Sequence, residues 1–271
     1  MVMQTMAAEL GNAGKPEDVR QLAGIVLKNC ITAKDEVKAA ALADLWLQTD
    51  PAVRQQVKQP VLSILGSTTR VIRDVAAQVI AAVAVIELPK QQWPDLIQTL
   101  ASGVTGVGTD SATKQSALKT LGYICEEIDP EALAAQSNLI LTAVIQGMRG
   151  EEPDKDVRLE GTKALLNAIP FIKSNFESET ERNYIMQTVC ENTQSDVTEI
   201  KDAAFQCIVS IGETYYIHLA PYVQAIYGLT LACIQGAIAG TVEDEVGQQA
   251  VEFWSTLADE EYDLSQEAEE A

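Results

Sequence analysis

Six segments of this chain share one helical pattern. A small residue follows an anchor residue at the fourth position, and a large apolar residue follows at the eighth. Positions four apart lie on one helical face, and a small residue at its centre lets a second helix approach closely. In five copies a basic residue directly follows the anchor, and it is expected to point away from this face. The anchors are Val19, Ile72, Thr113, Val157, Ile200 and Val246.

The anchors are 41 to 53 residues apart, which is the period of repeats built from helix pairs. The pattern therefore predicts an all-α fold, a right-handed α-solenoid of antiparallel helix pairs. The content of 47% hydrophobic but only 5% aromatic residues favours helices packed through small aliphatic side chains. One continuous array is predicted, with an acidic end at 260–271. Its expected repeats are 1–32, 33–86 (with an inserted helix), 90–128, 131–172, 181–212 and 215–259. Since neither end resembles a capping repeat, we expect a part of a longer array.

The charge balance limits the possible partners. The chain carries 39 acidic and 19 basic residues, a formal net charge of −20. Binding to nucleic acid depends on neutralising phosphates with lysine and arginine, so nucleic acid is not an expected partner. A basic protein partner fits the charge, and a contribution to solubility explains it equally well.

Enzymatic motifs and membrane segments are absent from the sequence. The only histidine, His218, has no nucleophile motif around it, and the chain contains no phosphate-binding glycine loop and no zinc-ligand cluster. Five scattered cysteines favour reduced thiols in an intracellular protein. No apolar run is long enough to cross a bilayer. We expect a soluble binding protein that is not an enzyme and uses no cofactor or metal.

Several motifs resemble the importin-β family. They lie at residues 123–130 (YICEEIDP), 141–149 (LTAVIQGMR), 181–187 (ERNYIMQ) and 251–255 (VEFWS). The similarity runs in unbroken order from about residue 3 to the end, and residues 86–94 look closest to fungal members. The resemblance implies HEAT repeats, the second to the seventh of the family's array. It also implies a nuclear import receptor that moves between cytoplasm and nucleus through the nuclear pore complex at the nuclear envelope.

The resemblance also implies a crevice on the convex side that binds the Phe-Gly repeats of nucleoporins. The residues carried over to this crevice are Leu141, Thr142, Ile145, Glu181, Tyr184 and Ile185. A second crevice would involve Tyr222 and Leu229. From the pattern alone, apolar residues at helical spacing are more often ordinary core residues.

Other partners follow from the same resemblance. The concave side of the N-terminal repeats would bind the GTP form of the small GTPase Ran, with Glu126, Glu127 and Asp129 as acidic candidates. A solvated acidic helix end explains these three residues equally well. Importin-α and basic cargo would bind mainly to parts of the parent protein beyond residue 271. The alternative function is a HEAT-repeat scaffold in a complex unrelated to transport.

Overall fold

The computed structural model describes the backbone of residues 2–270 and the side chains of residues 2–266. All regular elements in this range are α-helices or short 3-10 helices. The all-α repeat class predicted from the sequence is confirmed. The chain forms two compact units, of which the first ends at Leu133 and the second begins at Ala134.

In the first unit, α2, α5 and α7 pack against one another in succession, while α1, α4 and α6 pack on them from one side. Within its described residues this unit contains α1 (Val2–Gly11), α2 (Glu17–Asn29), α3 (Glu36–Gln48), α4 (Pro51–Ser63), α5 (Arg70–Glu87), α6 (Leu96–Thr105), α7 (Ser111–Glu127) and the short α8 (Pro130–Leu133). A 3-10 helix at Ile64–Gly66 follows α4.

In the second unit, α10, α13 and α15 form the corresponding row, and α9, α12 and α14 pair with them in that order. Its described helices are α9 (Ser137–Met148), α10 (Lys155–Ala168), α11 (Lys173–Glu177), α12 (Glu179–Asn192), α13 (Thr198–Tyr215), α14 (Val223–Ile238) and α15 (Asp244–Glu270). Short 3-10 helices lie at Ala134–Gln136, Ile169–Phe171 and Tyr216–His218.

The repeated pattern lies on the helices of these two rows, and its small position is buried in all six copies. Three positions differ from the expectation, and one of them, the anchor Thr113, is only half-buried. The anchor Val19 is 41% exposed, because no helix among the described residues covers that face of α2. Trp254 is only partly buried, because Phe253, one residue earlier, takes the core position. The indole N–H of Trp254 donates instead to the hydroxyl oxygen of Thr230 at 3.0 Å.

Three of the basic residues that follow the anchors, all arginines, form hydrogen bonds to neighbouring helical segments. Arg20 is buried, and its Nε donates to the carbonyl oxygen of Leu10 at 3.0 Å. Arg73 is buried as well, and its Nη1 donates to the carbonyl oxygen of Ser67 at 2.8 Å. Each guanidinium thus satisfies a carbonyl group at the end of the preceding helical segment, where the helix dipole is negative.

The fourth copy achieves the same result through an additional side chain. Arg158 Nη2 donates to Asn192 Oδ1 at 2.6 Å, and Asn192 Nδ2 donates to the carbonyl oxygen of Met148 at 2.8 Å. Asn192 is buried at the end of α12 and so connects α9, α10 and α12. These three arginines therefore hold neighbouring helices together.

A buried carboxylate organises the first unit. Glu87, at the end of α5, is fully buried and accepts hydrogen bonds from Trp46 Nε1 (3.0 Å), Arg54 Nη1 (2.7 Å) and Lys58 Nζ (2.6 Å). The ammonium of Lys58 also lies 4.6 Å from the centre of the Trp93 ring. Trp46 is the buried residue of the inserted helix α3, so the cluster attaches α3 and α4 to α5.

Two features of α6 depend on its neighbours. The helix begins at Leu96, two residues after Pro94, and Trp93 is buried in the preceding turn under Lys58. Gly103 belongs to this helix, where a Cβ would lie 3.4 Å from Ala117 Cβ on α7. The glycine permits close packing of the two helices.

Candidate binding groove

A groove with a volume of about 570 Å³ lies between α9 and α12 in the second unit. Leu141 and Ile145, one helical turn apart, contribute one wall from α9, and Tyr184 and Ile185 contribute the other from α12. The lining residues are Asn138, Leu141, Thr142, Ile145, Gln146, Arg149, Asn175, Thr180, Glu181, Tyr184 and Ile185. The six residues that the resemblance assigned to the first crevice are all among them.

The apolar side chains of the groove are held in place by the core. Leu141, Ile145 and Ile185 are 7%, 3% and 1% exposed, so their positions are fixed by the surrounding core. Tyr184 is 45% exposed and presents much of its ring to solvent. The groove is therefore an aliphatic floor with one accessible aromatic side chain at its edge, an arrangement suited to an apolar or aromatic guest.

The sequence of α9 explains why this helix serves both the core and the groove. Ile140, Ala143, Val144, Gly147 and Met148 are buried in addition to the groove residues, so α9 is apolar around most of its circumference. Such a helix is buried on several sides. One side packs on α10 and another faces α12.

One end of the groove carries an amide cluster. Asn175 on α11 is 2% exposed, and its Nδ2 donates to Asn138 Oδ1 and, at 2.6 Å, to Glu181 Oε2. Asn138 and Glu181 are themselves exposed at the rim. This end therefore offers oxygen acceptors to a bound molecule.

The other end is basic. The Arg149 guanidinium forms a two-point ion pair with Glu151, with Nη2–Oε1 at 2.8 Å and Nε–Oε2 at 3.1 Å. The hydrogen bonds with Glu151 raise the pKa of Arg149, and those with Arg149 lower the pKa of the Glu151 carboxyl. The groove thus has an acceptor-rich end and a cationic end.

The remaining crevice candidates are not among the lining residues of this groove. Tyr222 directly precedes α14, where its hydroxyl donates to Asn183 Oδ1 and accepts from Arg182 Nε at 3.3 Å. Leu229 lies half-buried on α14. The second crevice remains a prediction.

The three acidic candidates in the first unit have different surroundings. Glu126 and Glu127 line a cavity of about 510 Å³ at the ends of α2 and α7 and beside the middle of α5, together with Lys28 and Lys34. Burial raises the pKa of Glu127, the neighbouring charge of Glu126 adds to this rise, and Lys28 opposes it. Asp129 lies apart from this cavity, and its Oδ1 accepts from the Glu131 backbone N–H at 2.9 Å, which stabilises the start of α8.

Five groove residues were not identified from the sequence: Asn138, Gln146, Arg149, Asn175 and Thr180. Asn138 and Arg149 extend the face of Leu141 and Ile145 by one turn in each direction, so helical spacing contained the signal for both. Asn175 lies on α11, a five-residue helix that no periodic pattern marks. Its place in the groove follows only from the tertiary structure.

Over the described part of the chain, no helix has the length and apolarity that a membrane span requires. The same residues contain no group of three or more His, Cys, Asp or Glu side chains positioned for a metal ion.

Two family models match the sequence. The importin-beta N-terminal domain matches residues 2–67, and the family described as IPO5-like, TPR repeats, matches residues 68–229. The second match alone covers more than half of the chain.

Two curated relatives are similar over nearly the whole chain. Importin subunit beta-1 of Schizosaccharomyces pombe is 46% identical over 270 residues, which are 99% of this chain and 31% of that protein. Importin subunit beta-1 of Arabidopsis thaliana is 43% identical over 264 residues, 97% of this chain and 30% of that protein. The chain thus spans less than a third of the length of these relatives.

Three solved structures have the same backbone arrangement at 38% identity, and each match covers 99% of this chain and 31% of the other. They are yeast importin-beta (Kap95p), with a TM-score of 0.91, the Kap95:Nup1 complex, with 0.88, and Kap95p with RanGDP, with 0.89. The helix-pair repeats, the two family matches and these similarities lead to one conclusion: the chain belongs to the importin-β family.

Proposed function

We propose that this chain is part of a nuclear transport receptor and that its α9–α12 groove binds the Phe-Gly repeats of nucleoporins. The observation that carries the proposal is the groove itself, with aliphatic side chains at its base and the accessible ring of Tyr184 at its edge. The relative Kap95 has been solved in a complex with Nup1, which supports the same class of partner.

The energetics suit weak and reversible binding. Complete burial of a phenylalanine side chain contributes about 1.5–3 kcal/mol, and an edge contact with the Tyr184 ring contributes about 0.5–1.5 kcal/mol more. Their sum is close to the roughly 4 kcal/mol of a millimolar dissociation constant. Useful affinity then depends on many repeats acting together, which also permits rapid exchange.

The experiment is a titration of the ¹⁵N-labelled chain with a Phe-Gly repeat peptide, followed by NMR. Tyr184→Ala removes an exposed groove side chain and is expected to weaken binding severalfold without unfolding the chain. Tyr262→Ala on α15 is the matched control, because Tyr262 is 64% exposed and lies outside the groove. Ile185→Asp is expected to abolish binding, and its thermal unfolding is measured in parallel, because Ile185 is only 1% exposed.

Two results would contradict the proposal. The first is no binding of the Phe-Gly peptide to the wild-type chain, and the second is equal binding by the wild type, Tyr184→Ala and Ile185→Asp. The first result would favour the alternative function, a HEAT-repeat scaffold outside transport, and the second would place the Phe-Gly site outside the α9–α12 groove.

The proposal includes Ran as a second partner, bound by the helices α2, α5 and α7 of the first unit. Glu126 and Glu127 are the acidic contacts in this proposal, and the relative Kap95p has been solved with RanGDP. Charge reversal at both residues is expected to weaken binding of Ran loaded with a GTP analogue. Glu36→Lys, an exposed change on α3, is the control. Equal affinity in all three proteins would contradict this part of the proposal.

The cellular setting belongs to the same proposal. A receptor that exchanges between Phe-Gly repeats is expected in the cytoplasm, in the nucleus and at the nuclear pore. Importin-α and basic cargo are further proposed partners, bound mainly by parts of the parent protein outside this chain.

A further inference from the structure

The side chain of Asn175 has an unused hydrogen-bond acceptor in the groove wall. Its Nδ2 carries two hydrogens, and both have acceptors, Asn138 Oδ1 and Glu181 Oε2. A carboxylate only accepts hydrogen bonds, so the contact with Glu181 fixes which amide atom is the nitrogen. The remaining atom, Oδ1, is buried and has no hydrogen-bond partner among the described residues.

A buried carbonyl oxygen without a donor is unfavourable, and polar groups of this kind are normally satisfied. The two neighbouring polar side chains cannot supply a donor while this arrangement holds. Asn138 uses its Oδ1 to accept from Asn175, and the carboxylate of Glu181 has no hydrogen to give. A peptide in the groove can supply a donor, because every residue except proline carries a backbone N–H.

We propose that Asn175 Oδ1 accepts the backbone N–H of the glycine that follows the phenylalanine, and that this contact makes the groove selective for Phe-Gly over Phe followed by a larger residue. This inference rests on the proposed function, because it assumes a phenylalanine between Leu141 and Tyr184. Asn175 is 2% exposed, so a donor reaches it only if the peptide backbone comes very close to the wall. Glycine has no Cβ and permits such an approach.

The test combines a one-atom change in the peptide with a one-residue change in the protein. In the ester analogue, the amide N–H of the glycine is replaced by oxygen, which removes the donor and keeps the shape. A net contribution of about 0.5–1.5 kcal/mol for a neutral hydrogen bond corresponds to a change in dissociation constant of about twofold to twelvefold. The ester is expected to bind the wild-type chain more weakly by this factor.

In Asn175→Ala the ester and the amide peptides are expected to bind equally, because the acceptor is gone. Gln187→Ala is the matched control: Gln187 is exposed on α12 and outside the groove, so this variant should retain the full difference between the two peptides. A second ester analogue, in which the amide N–H of the phenylalanine is replaced by oxygen, should change the affinity by the same factor in the wild type and in Asn175→Ala.

The inference is overturned if the glycine ester binds the wild-type chain as well as the amide does. It is also overturned if the ester lowers affinity equally in the wild type and Asn175→Ala, or if only the phenylalanine ester distinguishes them. These outcomes all require that Phe-Gly peptide binds. If it does not bind, or binds no better than a Ser-Gly peptide, the proposed function has failed instead.

A peptide-side measurement keeps the test decisive if Asn175→Ala does not fold. On the wild-type chain alone, a Phe-Ala peptide should lose at least as much affinity as the glycine ester, because its extra methyl group holds the backbone away from Asn175. Equal affinity for Phe-Ala and Phe-Gly would contradict the selectivity.

Discussion

Gly161 on α10 sets the distance between α9 and α10. A Cβ placed on Gly161 would lie 2.9 Å from the backbone N of Met148 and 3.0 Å from the backbone C of Gly147. Both neighbouring atoms belong to the main chain of α9 and cannot rotate away. The substitution Gly161→Ala therefore forces the last turn of α9 to move.

The magnitude is a balance of two effects. Inserting a methyl group into a tightly packed contact costs about 1–3 kcal/mol, whereas replacing glycine by alanine inside a helix contributes up to about 1 kcal/mol through helix propensity. We expect Gly161→Ala to lower the free energy of unfolding by roughly 1–2 kcal/mol, the difference between these terms. Gly228 on α14 is the control, because it is exposed and a Cβ there would meet nothing within 4 Å. Gly228→Ala should stabilise the chain by about 0.5–1 kcal/mol.

The assay is urea denaturation followed by circular dichroism. Both glycines belong to the second unit, so the two variants report on the same transition. A second readout is the affinity for the Phe-Gly peptide, since the displaced turn lies between Ile145 and Arg149 of the groove. The reasoning is refuted if Gly161→Ala raises the urea midpoint as Gly228→Ala does.

Three further predictions concern individual side chains. Glu87→Gln leaves the buried cations Arg54 and Lys58 without their counter-charge, and it should lower the free energy of unfolding by about 3–5 kcal/mol in thermal or urea unfolding. A loss below 1 kcal/mol would contradict a charged cluster. Tyr215 donates to the Ile169 carbonyl oxygen at 2.6 Å, and burial, reinforced by a nearby carboxylate, raises the pKa of its phenol to about 12. The contribution of this phenol to the free energy of unfolding should be complete below pH 10 and should disappear as the pH rises towards 12. Ultraviolet titration follows the ionisation of the phenol, and Tyr215→Phe should lack this pH dependence of stability. Asp110→Ala removes the N-cap of α7 and should cost about 0.5–2 kcal/mol. Hydrogen bonds from the backbone N–H and the hydroxyl of Thr113 lower the pKa of Asp110. The loss of stability in Asp110→Ala should therefore be present above pH 4 and should vanish as the pH falls through the lowered pKa. A loss that persists in strong acid would contradict the cap.

The helical repeat was predictable from the sequence because its signal is strictly local. A small residue such as Ala76 or Gly161 at the centre of an apolar face has one physical use, the close approach of another helix. Aspartates at helix starts carry an equally local signal: Asp50, followed by Pro51, accepts from the Ala52 backbone N–H at 2.7 Å. Patterns of this kind depend on residues within two or three turns of the same helix.

The structure differs from the sequence pattern where residues that are distant in the sequence determine the surroundings of a side chain. Val19 fits the pattern as well as Val157 does, yet only Val157 is fully buried, because the neighbouring helices differ. The buried position of Arg20 depends on a carbonyl oxygen ten residues earlier in the sequence, which accepts its hydrogen bond. Asn175 enters the groove through a short helix that carries no periodic signal. None of these contacts is encoded in local spacing.

The groove itself was predictable only in part. Helical spacing places Leu141 and Ile145 on one face of α9, but it equally describes an ordinary core contact. The resemblance to the importin-β family added the residues of α12 to the prediction. In the structure, all six residues of the predicted first crevice line the α9–α12 groove. Their binding to a peptide stays a prediction.

Stability and recognition meet on α9, and this leads to a last expectation. One side of the helix packs against α10 at Gly161, and the other side supplies Leu141 and Ile145 to the groove. A change at the α10 contact should therefore alter the stability and the peptide affinity together, whereas Tyr184→Ala, at an exposed position on α12, should alter the affinity alone. If Gly161→Ala destabilised the chain and left the peptide affinity unchanged, the face of α9 that lines the groove would have kept its position. That result would place the adjustment in α10 and would separate the packing of the repeat from the geometry of the groove.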